Sequence, residues 1–402
     1  MSQIMKMSNR IAELEKNFSR MFWIQALMNI KIMNVVISIF YIHRGLTLQQ
    51  IFLLGVVFAV TNVLLEIPSS YAADRWGRKK TIFVAVTLFA LSSVFDFISH
   101  DFRLFAIGIM LYAASYSFMT GTDDALIYDT TRELGRDKDS LKELGTYYSA
   151  QRFFKIVTPL LGALIASDLL EWQFQIIIVL EFITTIAAFP FVFFLVEPRY
   201  RADNSSQKTG ILRDAWKLVS GNKTMLHAMF SRTIIFLASL LVWKIHQDFL
   251  VNRGVTILAL GFMWFAINGV GYFAAKHVTR ILPQISSSRK IKMLNIIFTG
   301  AISVFAAASF FAAPWLLVIS FAILCIAEVV RWPMYSDIFN KLSKSFNRAT
   351  TLSLTNIVKC AFDIPLALAA AWLVGFNPSY VFIFVAALSL YVIIFIPTHE
   401  IV

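Results

Sequence analysis

The sequence has little charge and few cysteines for its length. Only 15% of its 402 residues are charged, whereas soluble domains carry about 25%, so a water-soluble globular fold is excluded. Its two cysteines, Cys325 and Cys360, lie inside apolar segments. They offer no basis for a disulfide framework or a metal site, and we interpret both as small packing residues.

Signatures of enzymes are also missing from the sequence. It contains no Gly-x4-Gly-Lys-Ser/Thr loop, so this chain is not expected to use ATP. It shows no nucleophile paired with a base and no cluster of metal ligands, so we predict neither an enzyme nor a cofactor. The net charge of +12 does not indicate nucleic-acid binding, because the basic residues lie in short loops between apolar runs.

Long apolar runs dominate what is present. Apolar residues make up 58% of the chain, and the mean hydropathy is +0.69, which is typical of a protein solvated by lipid. A hydrocarbon core of ~30 Å needs runs of about 20 apolar residues, and the sequence has twelve. They predict an all-α integral membrane protein with twelve transmembrane helices. The runs lie near 20–43, 48–72, 80–99, 103–129, 144–167, 172–196, 226–250, 255–276, 291–312, 314–339, 348–373 and 378–397.

The positions of Lys and Arg predict the orientation of these spans. Outside the spans they fall almost entirely in the termini and the even-numbered loops, while the odd-numbered loops hold only Arg44, Arg103 and Arg253. Loops that collect Lys and Arg are cytoplasmic, so we expect a multi-pass protein of the cell (inner) membrane with both termini in the cytoplasm. No secretory signal peptide is evident.

The longest polar stretch divides the chain into two halves. It lies between spans 6 and 7 and is rich in charged residues, so we interpret it as a cytoplasmic linker. The predicted organisation is an N-terminal segment, a first six-helix bundle, a linker, a second six-helix bundle and a C-terminal tail. Their bounds are 1–19, 20–196, 197–225, 226–397 and 398–402.

A motif stands between spans 2 and 3. Residues 70–80 read Ser-Tyr-Ala-Ala-Asp-Arg-Trp-Gly-Arg-Lys-Lys, which resembles the loop signature Gly-x3-Asp-Arg-x-Gly-Arg-Lys of the major facilitator superfamily. The sequence departs from that signature only at Ser70. A basic loop alone would explain the Arg and Lys residues, but it would not explain Asp74 and Gly77 at these positions.

Further segments resemble a bacterial branch of that superfamily that includes many drug-efflux proteins. They are 121–129 in span 4, and 333–337 with 348–350 around the end of span 10. Span 5 carries Thr-Pro-Leu-Leu-Gly-Ala at 158–163, a partial match to the antiporter motif Gly-Pro-x2-Gly-Gly. The Arg that proton antiporters commonly place in span 4 is Ser117 here, a second departure from the antiporter pattern.

The resemblance implies two six-helix bundles around a central cavity, with spans 3, 6, 9 and 12 bracing the outside. It also implies a monomer that carries a small molecule across lipid. The motif would form a conformational latch, in which Asp74 faces the start of span 11 and Arg78 reaches Asp129. Such contacts near helix ends are physically favourable and would break when the bundles rock. The latch residues are Asp74, Arg75, Gly77, Arg78 and Asp129.

Charged residues at membrane depth are the candidate substrate or proton-coupling sites, because each costs roughly 2.5–3.5 kcal/mol at the centre of a span. They are Lys31, Asp123, Asp124, Arg152, Lys155, Lys244, Glu328, Arg331, Lys359 and Asp363. The spacing of Glu328 with Arg331, Lys244 with Asp248, and Lys359 with Asp363 permits pairs on one helix face. Arg152 and Lys155 need an anion from elsewhere, for which Asp123 or Asp124 is the nearest candidate.

These features favour a secondary active transporter that works by alternating access, with a proton as the coupling ion. Protonation of Asp123, Asp124 or Glu328 is the expected coupling event. Efflux of a small amphipathic organic compound, as in an antiporter, is preferred. The alternative is uptake or facilitated passage of an organic anion, because the deep basic residues could give the cavity a positive potential. A transporter-derived sensor or scaffold ranks lower, because no soluble signalling domain is attached.

Overall fold

The computed structural model describes residues 2–199, 221–281, 285–311, 313–342 and 348–396. Within these ranges the chain forms helices and no β-strand, which confirms the predicted all-α class. The predicted linker falls mostly on residues outside these ranges, and so does the predicted C-terminal tail. The chain divides into two compact units, of residues 1–34 with 57–203 and residues 35–56 with 204–402.

The first unit contains the first half of the chain except for a short segment around the predicted loop between spans 1 and 2. Its helices are α1 (Ser2–Met28), α3 (Leu48–Trp76), α4 (Arg78–Ile98), α5 (Phe102–Met119), α6 (Thr122–Glu133), α7 (Ser140–Ile165), α8 (Glu171–Ile186) and α9 (Phe189–Phe194). The first residues of α3 belong to the second unit. The buried core of this unit joins α1, α4, α6, α7 and α9 through side chains such as Met21, Val86 and Tyr147.

The second unit contains the remaining helices. They are α2 (Ile37–His43), α10 (Lys223–Val251), α11 (Ile257–Ile281), α12 (Ser287–Ala308), α13 (Pro314–Leu342), α14 (Arg348–Val374) and α15 (Pro378–Phe395). Helix α2 packs against α10, so this short segment belongs with the second half of the sequence. A buried cluster that includes Met229, Ile291 and Tyr335 joins α10, α12 and α13.

Helices occupy all twelve predicted spans. Among the described residues, nine helical segments are long and apolar enough to cross a membrane. Helices α7 and α14 also have the length for a crossing at 1.5 Å per residue. Large apolar side chains such as Ile67 and Trp315 are 80% and 70% exposed, as lipid-facing residues should be. The structure is therefore consistent with twelve spans.

Within the part of the chain that the structure describes, three predicted spans are interrupted helices. Span 1 loses its α-helix between α1 and α2 and contains a short 3-10 turn at Met33–Val35. Span 4 breaks between α5 and α6, where Gly121 takes the left-handed conformation with φ +81°. Span 6 divides into α8 and α9, and a proline stands near the start of α9. At an interruption in the membrane, other groups must supply hydrogen bonds to the unpaired backbone N–H and C=O groups. The interruptions therefore mark positions where side chains have specific roles.

Candidate functional site

The loop motif forms a network of charged contacts at one end of the first unit, which we call the motif end. Arg78, in the first turn of α4, contacts Asp74 Oδ1 with Nη1 at 3.1 Å and Asp129 Oδ2 with Nε at 3.6 Å. The predicted ion pair between Arg78 and Asp129 is therefore confirmed. Asp129 is 3% exposed, so the guanidinium compensates a carboxylate that is shielded from water.

Gly77 connects α3 to α4 and is required there for two physical reasons. Its φ of +100° is a conformation that L side chains rarely adopt, and an added Cβ would lie 2.7 Å from Glu197 Oε1. Arg75 is exposed and donates only to Tyr71 OH, at 3.3 Å, among its described contacts. The predicted contact of Asp74 with the start of span 11 falls on side chains outside the described ones and stays a prediction.

Glu197 is a residue of this network that the sequence analysis missed. Its carboxylate accepts hydrogen bonds from the backbone N–H groups of Arg78, at 2.7 Å, and Lys79, at 2.8 Å. An anion that binds the free N–H groups at a helix start is stabilised by them and by the helix dipole. Glu197 follows span 6, far from the motif in sequence, so no local spacing could have revealed this cap.

Helix α1 contacts the motif end through several polar side chains. Arg10 pairs with Glu133 at 2.8 Å, and the buried Asn17 side chain exchanges hydrogen bonds with the backbone of Val196 at 2.8 and 3.0 Å. Farther along α1, hydrogen bonds from Lys16 and Arg20 lower the pKa of the Glu13 carboxyl from 4.5 to about 2. The motif end is thus a connected polar layer rather than an isolated loop.

An acid pair occupies the first turn of α6. Asp123 Oδ2 accepts from Tyr147 OH at 2.7 Å, and Asp124 Oδ1 accepts from Tyr148 OH at 2.7 Å. The side-chain oxygen of Gln25 lies 3.1 Å from the Tyr147 hydroxyl. Asp123 is buried and Asp124 is partly exposed. The pair therefore combines one shielded and one accessible carboxylate, each held by a tyrosine of α7.

The structure describes less about the predicted partners of this pair in span 5. Lys155 is exposed on α7, and the Arg152 side chain lies outside the described ones. The described side-chain partner of Asp124 is Tyr148 rather than Lys155. Compensation of Arg152 and Lys155 by an acid of span 4 therefore stays a prediction.

Lys31 lies in the interruption of span 1. Its Nζ is 3.7 Å from the ring centroid of Phe89 and 5.3 Å from that of Tyr112. It is attracted electrostatically by Glu181 and Asp96, which lie on spans 6 and 3. The family resemblance implies that Lys31 is on a span that lines the cavity, but Glu181 and Asp96 lie on spans that it assigns to the outside of the bundle.

A hydrogen-bonded network surrounds Arg331 in the second unit. Its side chain is 2% exposed and forms the predicted ion pair with Glu328. Arg331 Nη1 donates to Asn295 Oδ1 at 2.9 Å, and Asn295 Nδ2 donates to Ser231 Oγ at 3.2 Å. The Ser231 hydroxyl lies 2.6 Å from Tyr335 OH. Helices α10, α12 and α13 are therefore joined around one buried guanidinium.

A second ionic group in this unit contains two lysines and one acid. Asp363 on α14 is attracted by Lys244 on α10 and by Lys359 on its own helix. Lys244 is 8% exposed, and its electrostatic partner is Asp363 rather than the predicted Asp248. Asp248 instead hydrogen-bonds to Asn252. Spacing on one helix could not reveal an acid on a different helix, and the pair of Lys359 with Asp363 stays a prediction.

Comparisons with known proteins give a consistent result. The family model described as Major Facilitator Superfamily matches residues 24–367. The chain is 21% identical over 329 residues to the uncharacterized MFS-type transporter YxaM of Bacillus subtilis (strain 168), covering 81% of each protein. This relative and the family model agree with the motif at residues 70–80.

Solved structures with the same fold include transporters of different solutes. The nucleoside transporter NupG has a TM-score of 0.71 at 14% identity, with 94% of this chain and 97% of that chain covered. A bacterial homologue of the human lysosomal transporter Spinster has a TM-score of 0.72 at 13% identity, with 96% of each chain covered. The D-xylose-proton symporter has a TM-score of 0.70 at 11% identity, again with 96% of each chain covered. Similarity at these identities is evidence of the fold alone.

Proposed function

The chain belongs to the major facilitator superfamily and is a multi-pass membrane transporter rather than an enzyme, and we propose that it is a proton-coupled secondary transporter. In this proposal it works by alternating access and exports a small amphipathic organic compound. Asp123 and Asp124 are the proton-coupling residues. The observation that carries the proposal is the pair of carboxylates at the interruption of span 4, each held by one tyrosine hydroxyl.

The surroundings of the acid pair suit reversible protonation. Two carboxylates on adjacent residues repel each other when both are ionised, so this repulsion favours protonation of one of them. The tyrosine hydroxyls keep both groups in place, because a hydroxyl can donate to a carboxylate or accept from a protonated acid. Asp124 is the more accessible of the two, and we assign it the exchange of protons with water.

Glu328 is a weaker candidate for coupling than the acid pair. It is paired with Arg331, and Arg232 also attracts it. The guanidinium of Arg331, with which Glu328 forms an ion pair, favours the ionised form of the carboxylate. Protonation of Glu328 would leave the buried charge of Arg331 without compensation. We therefore assign this ion pair a structural role, in which it orients the helices.

The latch connects several helix ends of the first unit. Arg78 binds Asp74 on α3 and Asp129 on α6, while Glu197 binds the start of α4. These contacts depend on the relative positions of several helix ends, so a movement of any one helix alters them together. We further propose that the motif end faces the cytoplasm of a cell membrane, because Lys and Arg collect in the loops on its side, and that the protein acts as a monomer.

Proteoliposomes with an imposed pH gradient test the coupling residues. We expect the wild-type protein to move an amphipathic probe such as ethidium or naphthoate at a rate that depends on the gradient. Asp124→Asn should abolish the dependence on pH, while Asp139→Asn, in an exposed position before α7, serves as a matched control. Unchanged pH-driven flux in Asp124→Asn would remove that residue from the mechanism.

The same vesicles distinguish export from the alternative direction. Saturable inward counterflow of carboxylates or phosphorylated solutes, without dependence on the pH gradient, would favour facilitated uptake of an organic anion. Accumulation of the probe against its own concentration gradient, coupled to movement of protons in the opposite direction, would support antiport.

A further inference from the structure

A short segment from the first half of the sequence packs against α10, which belongs to the second half. The segment, residues 35–56, contains α2 and the start of α3 and is part of the second unit. Helix α3 runs without a break from Leu48 to Trp76 in the motif, so its start lies at the end of the span opposite to the motif. Contacts of this segment with α10 therefore join the two halves of the sequence at the end opposite to the motif.

The turns that follow spans 1 and 7 repeat each other in sequence and in structure. Residues 44–47 read Arg-Gly-Leu-Thr, and residues 253–256 read Arg-Gly-Val-Thr. Both glycines have a positive φ, +89° at Gly45 and +87° at Gly254. In both turns the guanidinium carbon lies over the phenylalanine ring four residues before it, at 5.2 and 4.0 Å from the ring centroid. Parallel repeats of six spans produce such an equivalence.

Ser38 and Gln247 hold equivalent positions in these repeats, and they contact each other. Each stands six residues before the arginine of its turn. The Ser38 backbone N–H donates to Gln247 Oε1 at 2.8 Å, and Ser38 Oγ donates to the backbone oxygen of Lys244 at 2.6 Å. Because Ser38 lies in the first turn of α2, its N–H has no acceptor within that helix, and α10 supplies one. Two equivalent residues that touch lie at the axis that relates their repeats.

The ammonium of Lys244 lies against Gly55 on α3. A Cβ added to Gly55 would lie 1.9 Å from Lys244 Nζ, so a larger residue fits there only if the lysine moves. Glycine inside a helix is less stable than alanine, and the close approach of the ammonium accounts for its presence in α3. Lys244 Nζ also lies 5.7 Å from the ring centroid of Phe52, and its electrostatic partner is Asp363 on α14. One buried ammonium thus interacts with two further helices.

We propose that these contacts form a gate that closes the transport path at the end opposite to the motif. The Lys244 gate, as we call it, consists of Ser38, Gly55, Lys244 and Gln247. The inference rests on the proposed transport function and names residues that open and close the path. Alternating access requires the two halves of the sequence to separate at one end at a time. The gate joins the two halves at the axis of the repeats, so its contacts must break before a solute crosses that end.

The counter-charge of Lys244 makes the gate suitable for repeated opening. Lys244 and Asp363 lie on α10 and α14, which both belong to the second half of the sequence, whereas Gly55 belongs to the first half. When α2 and α3 move away, the ammonium therefore keeps its carboxylate, and the cost of an unpaired buried charge does not arise. Lys244, a predicted substrate or proton-coupling residue, closes the path in this proposal.

Cysteine labelling of the full-length protein in lipid nanodiscs tests the gate without any measurement of flux. The reporter is Ser38→Cys in a protein that also carries Cys325→Ser and Cys360→Ser, and a water-soluble maleimide is the probe. Because position 38 is 1% exposed, its thiol reacts only when the gate opens. Gly55→Ala displaces the Lys244 ammonium and should raise the labelling rate at least about tenfold, since overpacking of a closed contact favours the open form.

Two controls separate opening of the gate from unfolding. Gly269→Ala, within α11, adds a Cβ with no neighbouring atom within 4 Å, so it should leave the labelling rate within about twofold. The native Cys325 is 9% exposed on α13, and in a protein without the reporter it should label equally slowly with and without Gly55→Ala. If Ser38→Cys does not fold, Val36→Cys replaces it, because Val36 is 0% exposed and precedes α2.

A cross-link tests whether the gate opens during transport. In the double variant Ser38→Cys/Gln247→Cys, a short bifunctional thiosulfonate should stop flux of the probe into proteoliposomes, and a reductant should restore it. The control is Phe95→Cys/Gly108→Cys, which joins α4 to α5 within the first unit. A Cβ added to Gly108 lies 3.0 Å from Phe95 Cβ, so this cross-link forms inside one bundle and should leave flux unchanged.

Two results would overturn the gate. One is an unchanged labelling rate at position 38 in folded Gly55→Ala, and the other is flux that continues after residues 38 and 247 are cross-linked. A wild-type protein that carries no probe would count against the proposed function, while the labelling rates would still decide whether the gate opens. A cross-linked protein that carries the probe would count against the gate and leave the proposed function intact.

Discussion

Glu181 accepts a hydrogen bond from the backbone N–H of Met33 at 2.7 Å. Glu181 lies within α8, and Met33 lies in the interruption between α1 and α2, so a side chain of span 6 satisfies a backbone group that span 1 leaves free. The same carboxylate attracts Lys31. One acid therefore stabilises both the interrupted backbone and the partly buried ammonium of Lys31.

Replacement of Glu181 should loosen this interruption. Glu181→Leu leaves the Met33 N–H without an acceptor and Lys31 without its first electrostatic partner. A backbone N–H that loses its acceptor and stays shielded from water costs about 1–3 kcal/mol. We expect a lower unfolding temperature and faster amide hydrogen exchange at residues 29–36, measured by mass spectrometry on the detergent-solubilised protein.

The double variant Lys31→Met/Glu181→Gln provides the control for charge. It removes both charges and keeps a side-chain oxygen that can accept from Met33, so its exchange at residues 29–36 should return most of the way to wild type. Glu171→Gln, at the start of the same helix, should have little effect. Equal exchange in wild type and Glu181→Leu would show that Glu181 does not hold the interruption.

Gly77→Ala should destabilise the motif end. The new Cβ would require strain at a φ of +100° and would approach the Glu197 carboxylate to 2.7 Å, and such strain costs about 1–3 kcal/mol. Gly145→Ala is the matched control, because no neighbouring atom lies within 4 Å of its added Cβ. Within helix α7, that change should be neutral or stabilising by about 0.5–1 kcal/mol. Thermal unfolding that gave both variants the same stability would contradict the assigned role of Gly77.

Predictions from the sequence succeeded where a pattern is local. Twenty-residue apolar runs located the helices, because lipid thickness and helix rise constrain neighbouring residues directly, whereas the Arg78–Asp129 ion pair followed from the resemblance of the motif to its family. Predictions failed where partners are distant in sequence. Glu197 reaches Gly77 across four spans, Glu181 reaches span 1 from span 6, and Lys244 finds Asp363 on another helix. Helix packing produces these contacts, and no single-sequence spacing encodes them.

Glu13 should remain ionised well below the ordinary pH range of a glutamate. Hydrogen bonds from Lys16 and then Arg20 lower its pKa to about 2 from 4.5. A lowered pKa in the folded state means that these contacts stabilise the fold above the unfolded value of 4.5, and that their contribution is lost as the pH falls toward 2. Carbon-13 NMR of labelled glutamate in micelles can follow this titration. Lys16→Ala and Arg20→Ala should each raise the pKa, and a value near 4.5 in the wild type would contradict the assigned contacts.

Arg331 and Glu328 should behave as one structural unit. Arg331→Met leaves the Glu328 carboxylate and the Asn295 amide oxygen without their donor, and loss of one partner of a buried pair costs roughly 3–5 kcal/mol. Arg331→Lys should restore little, because one ammonium cannot reproduce the planar fork that reaches both groups. The double variant Arg331→Met/Glu328→Leu removes both charges, so its loss should be well below the sum of the single losses.

Thermal unfolding of the two single variants and the double variant measures this coupling, and fluorescence-detected size exclusion confirms that each protein is monodisperse. Additive losses would show that Arg331 and Glu328 act independently. A double variant that remains stable and still transports with wild-type pH dependence would confine the pair to helix orientation. The proton-coupling role would then remain with the carboxylates that Tyr147 and Tyr148 hold in the first unit.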